Sequence, residues 1–363
     1  MSTQPDLLYS ETEDDLRAAV RSLLDDRSDH TAALARAEEG SPYDEGLWQS
    51  LAAGIGAAGL LVPEELGGQG AGHREAAVVL EELGRAVTPA PYLTSSVIAT
   101  ETLLALGGAG DGATGLLKGL AAGRTVAVLA LPLSASASAG AGRPPGPTVT
   151  GVADAAAADV LLVLREDGLH AVERGDVTVE PLTPLDLTRP LASVTTAEGS
   201  GTRLADAEQA RAAVRRGLLA GAGLLASEQL GVAEWCLEET VRYTRDRYQF
   251  NRPVGSFQAL KHRMAQLWLD VAGARAAARN AADALATGSD EAPLAVSVAQ
   301  AHCSRVAVRA AEECVQLHAG IGMTWEHPAH LYLKRAKADE IALGTPGRHK
   351  EVLAELVALP GPR

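Results

Sequence analysis

Aromatic residues are scarce in this sequence: 2 Phe, 4 Trp and 6 Tyr among 363 residues, or 3%. Ala, Leu and Glu dominate instead, and because these residues lose little side-chain freedom in a helix, the composition predicts a mostly helical protein. Cysteine is equally rare. Cys236, Cys303 and Cys314 form no CxxC pair, and an odd number of scattered thiols suits a reducing compartment rather than a disulfide framework; all three are read as buried structural residues. No apolar run approaches the roughly 20 residues of a membrane span, and the opening MSTQPDLLYSETEDD has neither a basic n-region nor an apolar h-region, so a soluble, cytoplasmic protein is expected. Basic residues are outnumbered, 32 Lys and Arg against 46 Asp and Glu, for a net charge of −14. That balance repels nucleic acid and anionic membrane and removes both as partners.

Several catalytic signatures are missing as well. There is no GxSxG elbow for a hydrolase. Gly110, Gly112 and Gly115 fit GxGxxG, but they follow what reads as a helix end, no βαβ unit follows them, and a loop between helices is expected. His318, His327 and His330 lie close in sequence yet lack a second acidic or sulfur cluster, so no metal is expected.

What is present falls into three regions, consistent with two or three domains for this length. From about Ser10 to Gly123 the pattern is helical: Ser10 and Glu13 form a plausible capping box, Leu16, Val20, Leu23 and Leu24 follow at helical spacing, and further helices are expected over 44–59, 74–86 and 94–106. Between about Arg124 and Gly201 the texture changes to short β-type runs, TVAVLAL, TVTGV, VLLVLR, LHAVE, VTVEPL and LASVTT, separated by Gly, Pro and Asp. Ser134–Pro147 is low in complexity and reads as a mobile surface loop. From about Ala205 long helical segments return, broken at NRPVG, ATGSDEAP, GIGMTWEHP and LGTPG, which predicts a bundle of four or five helices. The expected fold is therefore mainly α with a small all-β middle domain, divided as 1–123, 124–204 and 205–363.

Three stretches carry a resemblance. They are LLVPEELGGQGAG (60–72) with EELGRAVTPAPYLTSS (81–96); RDRYQFNRPVGSFQALKHRMAQL (245–267); and VQLHAGIGMTWEHPAHLYLKRAKADEIALGT (315–345). The second is similar to RxQFGxPIxxFQxxxHxLA and the third to QxxGGxGxxxExPxxRxxRDAxxxxIxxGT, signatures of the acyl-CoA dehydrogenases, flavoproteins that introduce an α,β double bond into an acyl thioester. The resemblance covers nearly the whole chain and implies an N-terminal helical domain, a reduced β-barrel and a C-terminal four-helix bundle. It further implies that Arg247, Phe250, Phe257, Gln258, Gln316, Gly320 and Thr345 contact FAD, most of them reaching to a neighbouring subunit's cofactor. The residue types suit a dinucleotide flavin, with a guanidinium fork for pyrophosphate, rings for adenine, and amides that donate and accept. Arg247, three residues before Phe250, is expected to share a helix face with it.

The same resemblance marks what is absent. The family needs a carboxylate to take the α-proton as hydride leaves the β-carbon. It usually precedes the Gly-Thr pair, where this chain has Leu343; in other members it lies on the first helix of the bundle, where this chain has Gly221. Glu228 and Glu340 are the fallback bases; Glu228 and Glu234 lie on the same expected helix, where a solvated or ion-paired face is the plainer reading of both. The flavin-contacting TEPxxGSD and WITN segments are replaced by SASASAGAGRPPGP and TVTGVADAAAADV, and Asn251 and Ala319 stand where Gly is usual. The expectation is a FAD-dependent acyl-CoA dehydrogenase subunit that depends on a homologous catalytic partner in an α2β2 heterotetramer, with electron-transferring flavoprotein as acceptor. A self-sufficient homotetramer with an atypical base and a non-catalytic acyl-thioester- or protein-binding member are the alternatives.

Overall fold

The computed structural model describes residues 7–38, 43–107, 110–138 and 144–360. The first element among the described residues is the expected α1 (Glu11–Arg27), started by the Ser10–Glu13 box: Ser10 Oγ accepts from the Glu13 N–H at 3.2 Å and Glu13 Oε2 from the Ser10 N–H at 2.7 Å. Glu13 also accepts from Arg279 at 2.7 Å and from Arg74, which ties this first helix to the C-terminal bundle. Then come α2 (His30–Glu38), α3 (Glu45–Gln49), α4 (His73–Ala86), a π-helical turn Tyr92–Ala99 running into α5 (Thr100–Leu104), and α6 (Gly110–Ala121). The glycines at 110, 112 and 115 therefore lie within a helix, not in a loop, and the nearest described element before them is α5 rather than a strand.

The β region forms two sheets. All six expected runs are strands: β1 (Ala127–Leu129), β2 (Thr148–Ala153), β3 (Val160–Arg165), β4 (Gly168–Glu173), β5 (Val177–Leu182) and β6 (Leu191–Thr196). A seventh, β7 (Thr202–Asp206), lies beyond the expected strand region and completes one sheet in the order β1-β3-β4-β7; the other is β2-β6-β5. Pairing is antiparallel except between β1 and β3. The Ser134–Pro147 segment divides: residues 139–143 lie outside the described ones, whereas Ser136 is buried and its hydroxyl meets Ser138 Oγ at 3.0 Å, so this end is packed rather than loose.

The C-terminal bundle comprises α7 (Ala207–Asp246), α8 (Gln258–Ala286), α9 (Ala292–Leu317), α10 (Ala329–Ile341) and α11 (Pro346–Leu356), with a short hairpin of β8 (Tyr248–Gln249) and β9 (Arg252–Pro253) after α7. The 40 residues of α7 span about 60 Å at 1.5 Å per residue. Its midsection is rich in Ala and Gly because neighbouring backbones come close: a Cβ at Gly231 would stand 1.9 Å from Glu81 O on α4, and one at Gly84 of α4 would stand 2.1 Å from Glu228 O. Among the described residues no helix is long and apolar enough to cross a membrane, and the three cysteines are free and buried.

Candidate functional site

Gly221 sits inside α7 and Leu343 just beyond the end of α10, and the fold brings them together. A Cβ at Gly221 would lie 3.3 Å from Leu343 Cδ1 and 2.6 Å from Ile98 Cγ1. Leu343 is buried, adopts φ +54°, and is held on both sides: its N–H donates to Leu133 O at 2.8 Å and its carbonyl accepts from His349 Nε2 at 3.1 Å. The space beside it divides in two. Toward Thr94, Ile98 and Leu218 only about 20 Å³ is open, whereas toward Ser136, Arg215, Arg216, Leu219 and His349 a mostly apolar cavity of about 270 Å³ remains. A second cavity of about 270 Å³ lies between the β region and α10, bordered by Leu133, Ser134, Thr150, Gly151, Ile341 and Ala342. No motif announced Ile98 or His349; their role follows from the fold bringing the 92–99 turn and α11 against Leu343.

Neither fallback carboxylate reaches this space as a free base. Glu228 is not solvated: it is 2% exposed and sealed between Arg189 and Arg335, to which Oε1 is ion-paired. Burial pushes its pKa up, but the two guanidinium groups outweigh burial and hold it below the usual carboxylate value. Arg335 also pairs with Asp186 and donates to Thr188 Oγ1 at 2.7 Å. Two further carboxylates border this cluster. Asp339, fully buried, approaches Arg189 at 3.3 Å without a well-aligned hydrogen bond, and burial together with Glu228 pushes it up. Asp154 is raised by burial to about 6, although Thr94 Oγ1 donates to it at 2.6 Å. Glu234 is buried too, paired with Arg275 at 2.5 Å. Glu340 lies elsewhere, in the wall of a polar groove of about 450 Å³ shared with Asp270, His302 and Arg309.

The residues expected to hold a cofactor are turned outward. Helix α7 ends at Asp246, so Arg247 caps it, its N–H bonded to Tyr243 O at 2.9 Å, and the expectation that Arg247 and Phe250 share a helix face is corrected. The next residues form the β8–β9 hairpin, whose two-residue turn, Phe250 at φ +53° and Asn251 at φ +60°, is the left-handed pair that matches the twist of the strands. Asn takes this conformation with least strain after Gly. Phe250 is 86% exposed; its ring meets Phe257 edge-on at 6.1 Å, and Arg252 lies over Phe257 at 3.7 Å. Arg247 is exposed and makes no ion pair with any described residue. Gln258, Gln316 and Gly320 are exposed as well, and the segment after Gln316 packs on the same end of α7, with His318 stacked on Tyr243 at 4.3 Å. Thr345 stands apart, its hydroxyl capping α11 by accepting from the Arg348 N–H at 3.2 Å.

The profile of the acyl-CoA dehydrogenase N-terminal domain matches residues 10–124 and that of the C-terminal domain residues 211–358. The chain is 38% identical to acyl-CoA dehydrogenase IpdE2 of Mycolicibacterium smegmatis over 93% of its own length and 96% of that protein. Among solved structures it is similar to the ChsE4-ChsE5 complex from Mycobacterium tuberculosis, with a TM-score of 0.84, 27% identity and coverage of 98% of this chain and 100% of that one. It is also similar to a variant of the Tcur3481-Tcur3483 steroid ACAD, with a TM-score of 0.82, 28% identity and coverage of 96% and 98%. With both terminal domains matched around the intervening β region, the chain belongs to the acyl-CoA dehydrogenase family.

Proposed function

We propose that this chain is the base-free subunit of a heteromeric, FAD-dependent acyl-CoA dehydrogenase, assembled with a homologous subunit that supplies the catalytic carboxylate. The observation that carries this reading is the placement of Arg247. It caps the helix that holds Gly221, 26 residues further along the chain, a rise of about 39 Å, so it cannot serve the pocket beside Leu343 in its own chain. Exposed, unpaired and flanked by the outward ring of Phe250, it suits the pyrophosphate of a cofactor housed mainly in another subunit. Gln258, Phe257, Gln316 and Gly320 belong to the same half-site, whereas Thr345 is spent on a helix cap and contributes to the chain's own side. FAD, when bound, supplies hydride acceptance from the acyl β-carbon; this chain's residues position and neutralise its diphosphate.

The two similar structures named as pairs, one of them as a steroid enzyme, favour an α2β2 assembly and a bulky acyl-CoA such as a steroid side-chain thioester. Electron-transferring flavoprotein is the acceptor this reading implies, and the division into 1–123, 124–204 and 205–363 is part of it. A homotetramer acting alone is disfavoured because Glu228 is neutralised by two arginines and Glu340 faces a different groove.

The test is the flavin content of the co-expressed complex after gel filtration. A charge-assisted bond to phosphate contributes about 1.5–3 kcal/mol, so Arg247→Ala is expected to weaken FAD retention roughly 10- to 150-fold while leaving the subunits assembled. A complex that keeps its FAD unchanged overturns the shared-site reading.

A further inference from the structure

The histidines at 318, 327 and 330 lacked an acidic companion in sequence; the fold supplies one. Glu239, near the C-terminal end of α7, places Oε1 3.7 Å from His318 Nε2 and 3.5 Å from His327 Nε2, and the three ligand atoms lie within 4.8 Å of one another. His330 is not among them, its ring packing against Trp325 at 4.6 Å. Both Glu–His gaps are long for hydrogen bonds. They approach the roughly 3.3 Å between ligand atoms of a tetrahedral zinc ion bound at about 2.0–2.1 Å.

His318 is the second, independent observation. It is 0% exposed, and Nδ1 lies 2.7 Å from the Cys314 carbonyl, to which it donates. The lone pair of the neutral ring is therefore on Nε2, which has no hydrogen-bond partner among the described residues. A buried ring nitrogen left in that state is costly, and a backbone carbonyl behind the far nitrogen is how ligating imidazoles are oriented. Tyr243 stacked on one side and His327, at 4.2 Å between ring centroids, hold the ring in place.

We propose that Glu239, His318 and His327 form a site for a divalent cation of the zinc class, which pins the 318–327 loop to α7. Two existing contacts must yield to it. Arg242, whose side chain is 68% exposed, donates to both Glu239 oxygens at 2.8 and 2.5 Å and has to release Oε1. His327 Nδ1 accepts from the Ala329 N–H at 3.2 Å and has to take up the ring proton instead. The remaining coordination position is left to water.

The test uses the full chain, stripped with chelator, equilibrated with zinc sulfate and freed of excess metal by gel filtration. One zinc per chain is expected, and cobalt in its place is expected to give the visible bands of a tetrahedral centre. Glu239→Gln and His327→Ala should each lower zinc affinity by at least about tenfold, the scale on which zinc sites respond even to changes around their ligands, with helicity unchanged by circular dichroism. Arg242→Ala should raise affinity by removing the competitor for Oε1, a direction that a mere ion-pair network would not produce. Cys314→Ser, whose Sγ lies 3.6 Å from Nδ1 on the other edge of His318, should keep the metal. A wild-type chain that retains no zinc overturns the site. So does retention in both Glu239→Gln and His327→Ala, or loss confined to Cys314→Ser, which would place the ion on thiols. Should either ligand variant fail to fold, the Arg242→Ala affinity and the cobalt spectrum still decide.

Discussion

Gly221 and Leu343 face each other with no room for a further side chain: a Cβ at Gly221 would touch Leu343 Cδ1 at 3.3 Å and overlap Ile98 Cγ1 at 2.6 Å. The two positions at which the family resemblance leads one to expect a base are thus two halves of one apolar wall. Gly221→Ala is expected to destabilise the chain by about 1–3 kcal/mol through overpacking, and Ile98→Val to relieve part of that loss. In urea denaturation the double variant should show a coupling of at least about 0.5 kcal/mol; strict additivity would mean that Ile98 does not set the limit.

The isolated chain is expected to dehydrogenate acyl-CoA at a negligible rate. General-base catalysis contributes about 10²- to 10⁴-fold, and nothing at Leu343 or Gly221 can accept the α-proton. Steady-state assays of the pure homomer with added FAD check this, and turnover near the ordinary enzyme median of about 10 s⁻¹ would contradict it.

Asp154 is expected to make stability depend on pH. Burial raises it from 3.8 to about 6, so the folded state holds a proton that the unfolded chain releases. Stability is therefore greatest below the unfolded value and declines as pH rises through the window from about 4 to 6, by up to about 3 kcal/mol across those two pH units. Asp154 also adopts φ +56°, which Asn tolerates. Asp154→Asn should gain on the wild type between about pH 4.5 and about pH 7.5 when the two are compared by denaturant melts. A gap that stays constant with pH would show that Asp154 ionises normally.

Ala319 occupies φ +54°, a conformation that costs a non-Gly residue about 1–2 kcal/mol. Ala319→Gly is expected to stabilise the chain by about 0.5–1 kcal/mol after allowance for the greater freedom of glycine when unfolded. Unchanged or lower stability would mean that the methyl group is packed usefully enough to offset the strain.

Much of the architecture was legible because periodicity is local. The Ser10–Glu13 box, the six β runs and the long bundle helices each declare themselves within a few residues. β7 did not, since TRLAD is short and polar at its start and is a strand only because β4 lies beside it. The site was legible as a set of types and departures but not as geometry. Asn251, Ala319 and Leu343, three departures from the family's signatures, all turn out to lie at positive φ, which no spacing reveals. Glu228 read as a polar helix residue because Arg189 and Arg335, its partners, are 39 and 107 positions away. The same distance effect hid Glu239 from the histidines it meets.

The crossing of α4 and α7 has a mechanical corollary. Each helix contributes one glycine to the contact, Gly84 against Glu228 and Gly231 against Glu81, so neither can be enlarged without pushing the two axes apart. From Gly231 to Arg247 the rod extends 16 residues, roughly 24 Å, with the exposed hairpin at its tip. The crossing is a fulcrum and the distal part of α7 a lever arm, so a methyl group added at Gly231 would be delivered as a displacement of the exposed hairpin at the far end of the rod.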